Sequence, residues 1–481
     1  MPGHASVRVA LSASLAILLA ACSGADGSPP VVTGEPPTDR VPIVIDADFD
    51  LSDIAAIALL LRDPAADVRA ITIAGTGLVH CQTGRLMARY LLDELGSPDI
   101  PFGCGRQSGG TDAHPFPDAW RAAADAAYGL DIPPQAESGV PRDAVEVIRD
   151  AIDDSPSAPT IVTLGPLTNL EDAFTADETL ADRVAAIHAM LGTIDAPGNV
   201  FVDDLDGDDP LEWNAYADPS AVTAVFGSSV PISIVPLDAT DDVPVPPDLD
   251  DELEKDHQAG GADLVYELLV RNPDRLRPEL GQQLWDELAA LSVTDPDLVD
   301  WEDATVTVGP DGRLVADEAG KSIRFASSAD RAAVEAALLD GLRRGQPRQT
   351  PFAVGGSIFV TFDGTSCSVT GASDQRGGQE LRYEGPAGTP SGAAIFGIRP
   401  PHGWDEVLAL LPTYQIEAPP PEWLVEGPIA QDSLGLGEAV IATGSLDEDL
   451  AGVVCFTGTW PDVAFTPGRA FAVGGGVIGP A

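Results

Sequence analysis

From residue 42 to residue 345, short apolar runs alternate with segments of helical periodicity, and this alternation constrains the fold more than any other feature of the chain. Such runs bury both faces only when strands lie side by side and helices cover them, so an α/β domain on a mostly parallel sheet flanked by helices is expected over residues 42–345. Strand candidates are residues 42–45, 68–73, 160–164, 186–191 and 232–237. Helical periodicity marks 52–61, 83–95, 142–153, 167–174, 219–225, 262–269 and 331–343. The pattern changes at residues 346–351. Short β-prone runs then follow (357–362, 367–369, 394–398, 439–442 and 453–456), separated by Gly and Pro turns, which predicts a small all-β, sandwich-like domain over 352–481. No internal repeat is present.

The start of the chain carries Arg8, an apolar run over 9–19, and then Leu19-Ala20-Ala21-Cys22-Ser23-Gly24. That run is too short to span a bilayer and reads as a signal peptide over 1–21. Small residues before Cys22 resemble the bacterial lipobox, which implies acylation of Cys22 and a membrane-anchored, exported protein; an ordinary cleaved signal is the alternative. Residues 22–41, rich in Pro, Gly, Ser and Thr, read as a flexible tether. With Cys22 taken by lipid, four of the five cysteines remain, Cys81 near Cys104 and Cys367 paired with Cys455 across the β-rich region. An even number outside the reducing cytosol suggests one disulfide per domain. Zinc is the competing reading, and no Cys-x-x-Cys spacing or histidine cluster supports it.

The formal net charge of -50 makes nucleic acid an improbable partner, because a polyanionic surface repels phosphate. Most of these acids are expected to be solvated surface. The exception is Asp46-Ala47-Asp48-Phe49-Asp50-Leu51-Ser52-Asp53, which closes the first strand and opens the first helix. Ligands of open α/β sheets bind beyond the carboxyl ends of strands, so these acids lie where a site is expected. Read alone, they form either a solvated loop with Ser52 or Asp53 capping the helix, or a cation site. Clustered carboxylates repel one another, and a hard cation compensates them; calcium suits a donor set that includes carbonyl and sugar oxygens.

This segment resembles the N-terminal D-x-D-x-x-x-D-D motif of the inosine-uridine-preferring nucleoside hydrolase family. Asp46, Asp48 and Asp53 match its first, second and last aspartates, and Ser52 stands in place of the third. The resemblance implies that Asp48 is a Ca2+ ligand and the base that activates water, and that Asp53 is a Ca2+ ligand. The aspartate that Ser52 replaces binds a ribose hydroxyl in the family. A serine retains a hydrogen bond there and loses its charge-assisted part. Thr163-Leu164-Gly165-Pro166-Leu167-Thr168-Asn169 is similar to the family's G-P-L-T-N turn, which implies a metal-binding carbonyl on Leu164; alone it reads as a strand-to-helix turn. Gly198-Asn199 and Glu212-Trp213-Asn214, with Asp218-Pro219, resemble the family segments whose Asn199, Glu212 and Asn214 counterparts bind ribose. The last match is Trp285-Asp286, where the resemblance assigns Asp286 to metal and ribose. Trp285 stands where many members carry a histidine that protonates the leaving base, and is read either as a packed aromatic or as a platform for the base. Thr76 occupies the place of a family asparagine near the attacking water. His80 is either structural or a substitute acid. The insertion 203–209 reads as a solvated loop or a second calcium site.

The resemblance covers residues 42–345 and implies calcium-dependent cleavage of the N-glycosidic bond of a small-molecule ribonucleoside at the cell surface. The alternative is a catalytically weak relative that binds a ribosyl ligand or calcium as a scaffold. Asp48, Asp53, Asp286, Asn199, Glu212 and Asn214 favour the enzyme, whereas Ser52, Thr76 and Trp285 favour the second reading. The preferred base, the oligomeric state and the role of the β-rich domain are left open.

Overall fold

The computed structural model describes residues 40–130, 132, 141–202, 210–349, 351–352, 354–371, 377–411, 421–432, 440–446, 450–459 and 462–472. The signal peptide, Cys22, most of the tether and the insertion 203–209 lie outside these residues. No helix among the described residues is long and apolar enough to cross a membrane.

Nine strands build the first sheet: β1 (Val41–Ala47), β2 (Ala66–Ile73), β3 (Phe102–Cys104), β4 (Thr160–Thr163), β5 (Ala186–Met190), β6 (Ile232–Val235), β7 (Val299–Val308), β8 (Leu314–Ala316) and β9 (Lys321–Ala329). Their order is β3-β2-β1-β4-β5-β6-β9-β7-β8. Every pair from β3 to β9 is parallel, and β7 runs antiparallel to both β9 and β8. The chain winds outward from β1 in one direction through β2 and β3, then restarts on the other side with β4. The crevice between β1 and β4 is therefore the switch point at which such sheets bind ligands.

Both faces of the sheet are covered. Along β1, Ile43, Ile45 and Ala47 enter one core and Val44 the other, the period of two that a strand imposes. The helix Leu51–Arg62 is buried continuously from Ser52 to Leu60. Its Ala- and Leu-rich sequence favours helix, and its apolar circumference suits a helix packed under the helices Trp285–Thr294, Gly260–Arg271 and Arg331–Leu342. It ends at Asp63 because Pro64 disfavours helical backbone in the residue before it.

All five strand candidates and all seven helix candidates correspond to elements of the structure. Strand β3 and the β7–β8–β9 hairpin edge lie within the α/β region but were not among the strand candidates. Three residues of β7, Asp300, Glu302 and Asp303, are exposed, so its sequence lacks the apolar run that marks the interior strands.

Among its described residues, the C-terminal part contains two four-stranded sheets and the helix Trp404–Leu410. One contains Cys367–Gly371, Val354–Phe362, Gly377–Glu384 and Val440–Leu446 in that order, with Val354–Phe362 and Gly377–Glu384 parallel. The other contains Leu424–Asp432, Ser391–Ile398, Leu450–Thr459 and Asp462–Ala472, all antiparallel. Ile358, Val360, Leu381 and Tyr383 from the first sheet share a core with Ala393, Ile395, Val453 and Cys455 from the second. The Cys367–Cys455 disulfide joins the two sheets, and Cys81–Cys104 ties the start of the helix Cys81–Glu94 to β3. Between the two regions the chain is held: buried Arg348 donates to Glu267 at 2.7 Å and to the Tyr90 hydroxyl at 2.6 Å, with Asp263 at 3.3 Å.

Candidate active site

Asp48 follows β1 and lies beneath the loops after β2 and β4. It fits because two glycines leave room: a Cβ at Gly77 would fall 2.1 Å from an Asp48 carboxylate oxygen, and one at Gly165 would fall 2.9 Å from its Cβ. The Leu78 N–H donates to Asp48 Oδ2 at 3.1 Å. Asp46, near the end of β1, accepts from Thr72 at 2.6 Å and from Asn169 Nδ2 at 2.7 Å. Asn169 also donates to the Ile73 carbonyl at 3.0 Å, so the two residues brace β1, β2 and the turn after β4.

A cavity of about 400 Å³ opens at the switch point. Asp48, Ser52, Leu164, Asn199, Glu212, Asn214, Trp285 and Asp286 all line it, although they are spread over more than two hundred residues of sequence. Asp53 lies behind Asp48 and Asp286 and accepts from the Asp50 N–H at 2.7 Å, while Ser52 donates to Asp286 at 2.5 Å. Glu212 receives three backbone N–H groups, from Asn214 at 2.8 Å, Gly192 at 2.9 Å and Ala215 at 3.1 Å. The Asn214 amide donates to the carbonyls of Leu164 and Met190, both at 3.1 Å, and Asn199 Oδ1 accepts from the Trp213 N–H at 3.1 Å. These bonds fix the polar end of the cavity before any ligand arrives.

Two sequence candidates face elsewhere. The Thr76 hydroxyl meets that of Thr168 at 2.8 Å, and Thr168 donates to Asp218 at 2.7 Å, so Thr76 does not line the cavity. His80 pairs through Nδ1 with Asp125 at 2.7 Å and is also absent from the lining. Among the described residues, no histidine lines the cavity. Sequence reasoning passed over Asp50, Phe116, Trp120, Tyr128 and Trp213, which do. Phe116 stacks on Trp213 with ring centroids 4.9 Å apart, and Trp120 meets Trp213 edge-on at 5.3 Å. Trp285, beside Asp286, adds a further aromatic ring to the lining of the same cavity. Phe116 lies in a loop, and Trp120, Trp213 and Trp285 sit in the first turn of their helices, so no sustained apolar pattern marks them.

Burial and mutual repulsion dominate the electrostatics. Burial pushes Asp48 up to about 6 and Asp46 and Glu212 up to about 7. Asp53 and Asp286 are driven well above the usual carboxylate range by burial, and Asp286 repels Asp53 further. Asp53 Oδ1 and Asp286 Oδ1 are buried without a hydrogen-bond partner. Among the described residues, no three acidic, histidine or cysteine side chains already form a closed metal cage. The oxygen-only donors, their unpaired atoms and their uncompensated charge nevertheless fit a hard divalent cation.

Carboxylates, amides and aromatic rings share one cavity at the switch point of this sheet, and similarity to known proteins makes the chain an N-ribosyl hydrolase. The sequence profile of the inosine-uridine preferring nucleoside hydrolases matches residues 43–338, and the chain belongs to that family. It is 26% identical to uridine nucleosidase 1 of Arabidopsis thaliana over 283 residues, 57% of this chain and 80% of the relative. It is 32% identical over 206 residues to the pyrimidine-specific ribonucleoside hydrolase RihA of Citrobacter koseri, spanning 42% of this chain and 61% of that enzyme. A probable uridine nucleosidase 2 of Oryza sativa subsp. japonica is 30% identical over 43% of this chain and 59% of its own length. The solved inosine-uridine preferring nucleoside hydrolase of Bacillus anthracis shares the fold, with a TM-score of 0.56 at 21% identity, covering 63% of this chain and 99% of that one.

Proposed function

We propose that the protein hydrolyses the N-glycosidic bond of ribonucleosides in a calcium-dependent manner, at the outer surface of a membrane to which acylated Cys22 anchors it. The observation that carries the chemistry is one cavity that Asp48, Asp286, Asn199, Glu212 and Asn214 line together with the rings of Phe116, Trp213 and Trp285. Asp48, Asp53, Asp286 and the Leu164 carbonyl are the residues to hold calcium. Bound there, the cation supplies Lewis-acid activation of water and a grip on sugar hydroxyls.

Asp48 takes a proton from water as the water oxygen bonds to the anomeric carbon. The carbon–nitrogen bond breaks, and its electron pair leaves with the base, which takes up a proton. The sugar passes through an oxocarbenium-like state, and Glu212, already fixed by three N–H donors, presents negative charge to it without reorganising. Trp285 and Trp213 offer faces for the base, and an absent general acid costs roughly two to four decades of rate unless the base's own protonation replaces it.

Protein supplied with calcium and a panel of ribonucleosides is expected to release reducing sugar, and a chelator is expected to stop it. Calcium binding without release from any nucleoside would favour the second reading, a binding protein, to which the Ser52–Asp286 hydrogen bond lends support. A Cys22→Ala chain is expected in the soluble rather than the membrane fraction; retention on membranes would count against the anchor.

A further inference from the structure

We propose that Asp50 is the carboxylate that grips the sugar hydroxyls in this chain, taking over from the position now filled by Ser52, and that Tyr128 is its positioning residue. The proposal rests on the hydrolase reading and assigns a residue of this chain to the sugar hydroxyls. It starts from a shortage of protons. Ser52 Oγ lies 2.5 Å from Asp286 Oδ2 and 3.0 Å from Asp50 Oδ2. A serine hydroxyl has one hydrogen to donate, and the shorter contact claims it. The Asp50 side chain also closes a capping box with the Asp53 N–H, but a carboxylate has about four acceptor sites, so Asp50 stands on the cavity wall with accepting capacity to spare. Glu212 differs, because backbone N–H groups already occupy both of its oxygens.

The other Asp50 oxygen is held in place. Tyr128, also on the cavity wall, donates its hydroxyl to Asp50 Oδ1 at 3.3 Å. Tyr128 has φ 51°, and Ala127 before it has φ 51°, both in the left-handed region that side chains with a Cβ disfavour. Asn272 Nδ2 donates to the Tyr128 carbonyl at 3.0 Å and holds this turn. Backbone strain kept at a cavity wall is a mark of functional positioning. The turn thus fixes one oxygen of Asp50 through a phenol and leaves the other to a ligand. A vicinal diol brings two hydroxyl donors at fixed spacing and matches Asp50 Oδ2 together with Ser52 Oγ.

The test uses the calcium-loaded full chain and a C-nucleoside, whose carbon–carbon glycosidic bond the enzyme cannot hydrolyse, beside its 2′,3′-dideoxy counterpart. Titration calorimetry reads both affinities. Asp50→Asn keeps the shape and the helix-capping ability of the residue, so the fold is retained. It is expected to weaken the ribose ligand by about ten- to a hundredfold, the range of a charge-assisted hydrogen bond, and to leave the dideoxy ligand within about twofold. Tyr128→Phe is expected to move the same ligand in the same direction by about threefold. In a Ser52→Asp background the Asp50→Asn penalty is expected to shrink, because a second carboxylate is again at hand. Equal loss for both ligands, no loss, or a penalty undiminished by Ser52→Asp overturns the assignment. So does a parallel fall in calcium affinity, which would make Asp50 a metal ligand. A wild-type chain that binds both ligands alike overturns Asp50 and spares the hydrolase reading; one that binds neither removes that reading, and the assignment with it.

Discussion

The two ends of the cavity are built differently. At the sugar end, carboxylates and amides sit directly after β1, β4 and β5 or on short helices docked there, and backbone N–H groups hold several of them. At the base end, Phe116, Trp120, Trp213 and Trp285 come from loops or helix starts, and the indole nitrogens of Trp213 and Trp285 are buried without partners. One end is rigid and charged. The other is apolar and offers aromatic faces in place of an acid. Chemistry on the sugar is therefore committed by the fold itself, whereas recognition of the base is delegated to loops.

This contrast is tested first where its effect is largest. Asp48→Asn is expected to lower kcat/KM by about three decades or more, roughly 4 kcal/mol of barrier, with folding intact by circular dichroism. Turnover that survives this change would remove Asp48 from the base role. Calcium at a hundred times its Kd is expected to stabilise the wild type by about 2.7 kcal/mol, and Asp286→Asn is expected to erase that gain; thermal melts with and without chelator measure both. Trp285→Ala is expected to lower kcat/KM about ten- to a hundredfold, while the calcium-dependent shift in Tm stays at the wild-type value. A lost calcium shift in that variant would mean that the two ends are not separate units.

The smallest effect is the pH dependence of the metal-free protein. Asp48 and Glu212 are raised from 3.8 and 4.5 to about 6 and 7, and Asp53 and Asp286 are raised further. The folded state then binds protons more tightly than the unfolded chain, so these groups favour folding below about pH 4 and oppose it progressively as pH rises through 6 and 7. Chelated protein is expected to lose Tm across that interval, and calcium-loaded protein is expected to lose less. Equal slopes in the two states would detach the metal from the carboxylate end.

The same contrast explains what could be read in the sequence. The interior strands and the Asp46–Asp53 segment were legible because burial on both faces demands continuous apolar runs and because the acids fall at a strand end. Glu212, Asn214 and Asp286 were found by motif order, and the fold brings them to one cavity. Thr76 and His80 went elsewhere because Thr168 and Asp125 compete for their polar atoms, and such pairings cross 92 and 45 residues of sequence. Asp50 looked like one more acid in a run, and only its geometry toward Ser52 and Tyr128 distinguishes it. The aromatic end and the exposed, acid-bearing β7 lack any periodic pattern.

The anchoring of Arg348 decides where the molecule can be cut. Its guanidinium faces Glu94, Asp263 and Glu267 in a dry environment, alongside Arg271 on Glu267 and His257 on Asp263, and the Phe352 N–H caps the same Asp263 at 2.8 Å. A truncation that stops at the end of the family match, residue 338, would cut the helix Arg331–Leu342 and take one cation from three buried acids, so a stable catalytic fragment has to run at least through Phe352.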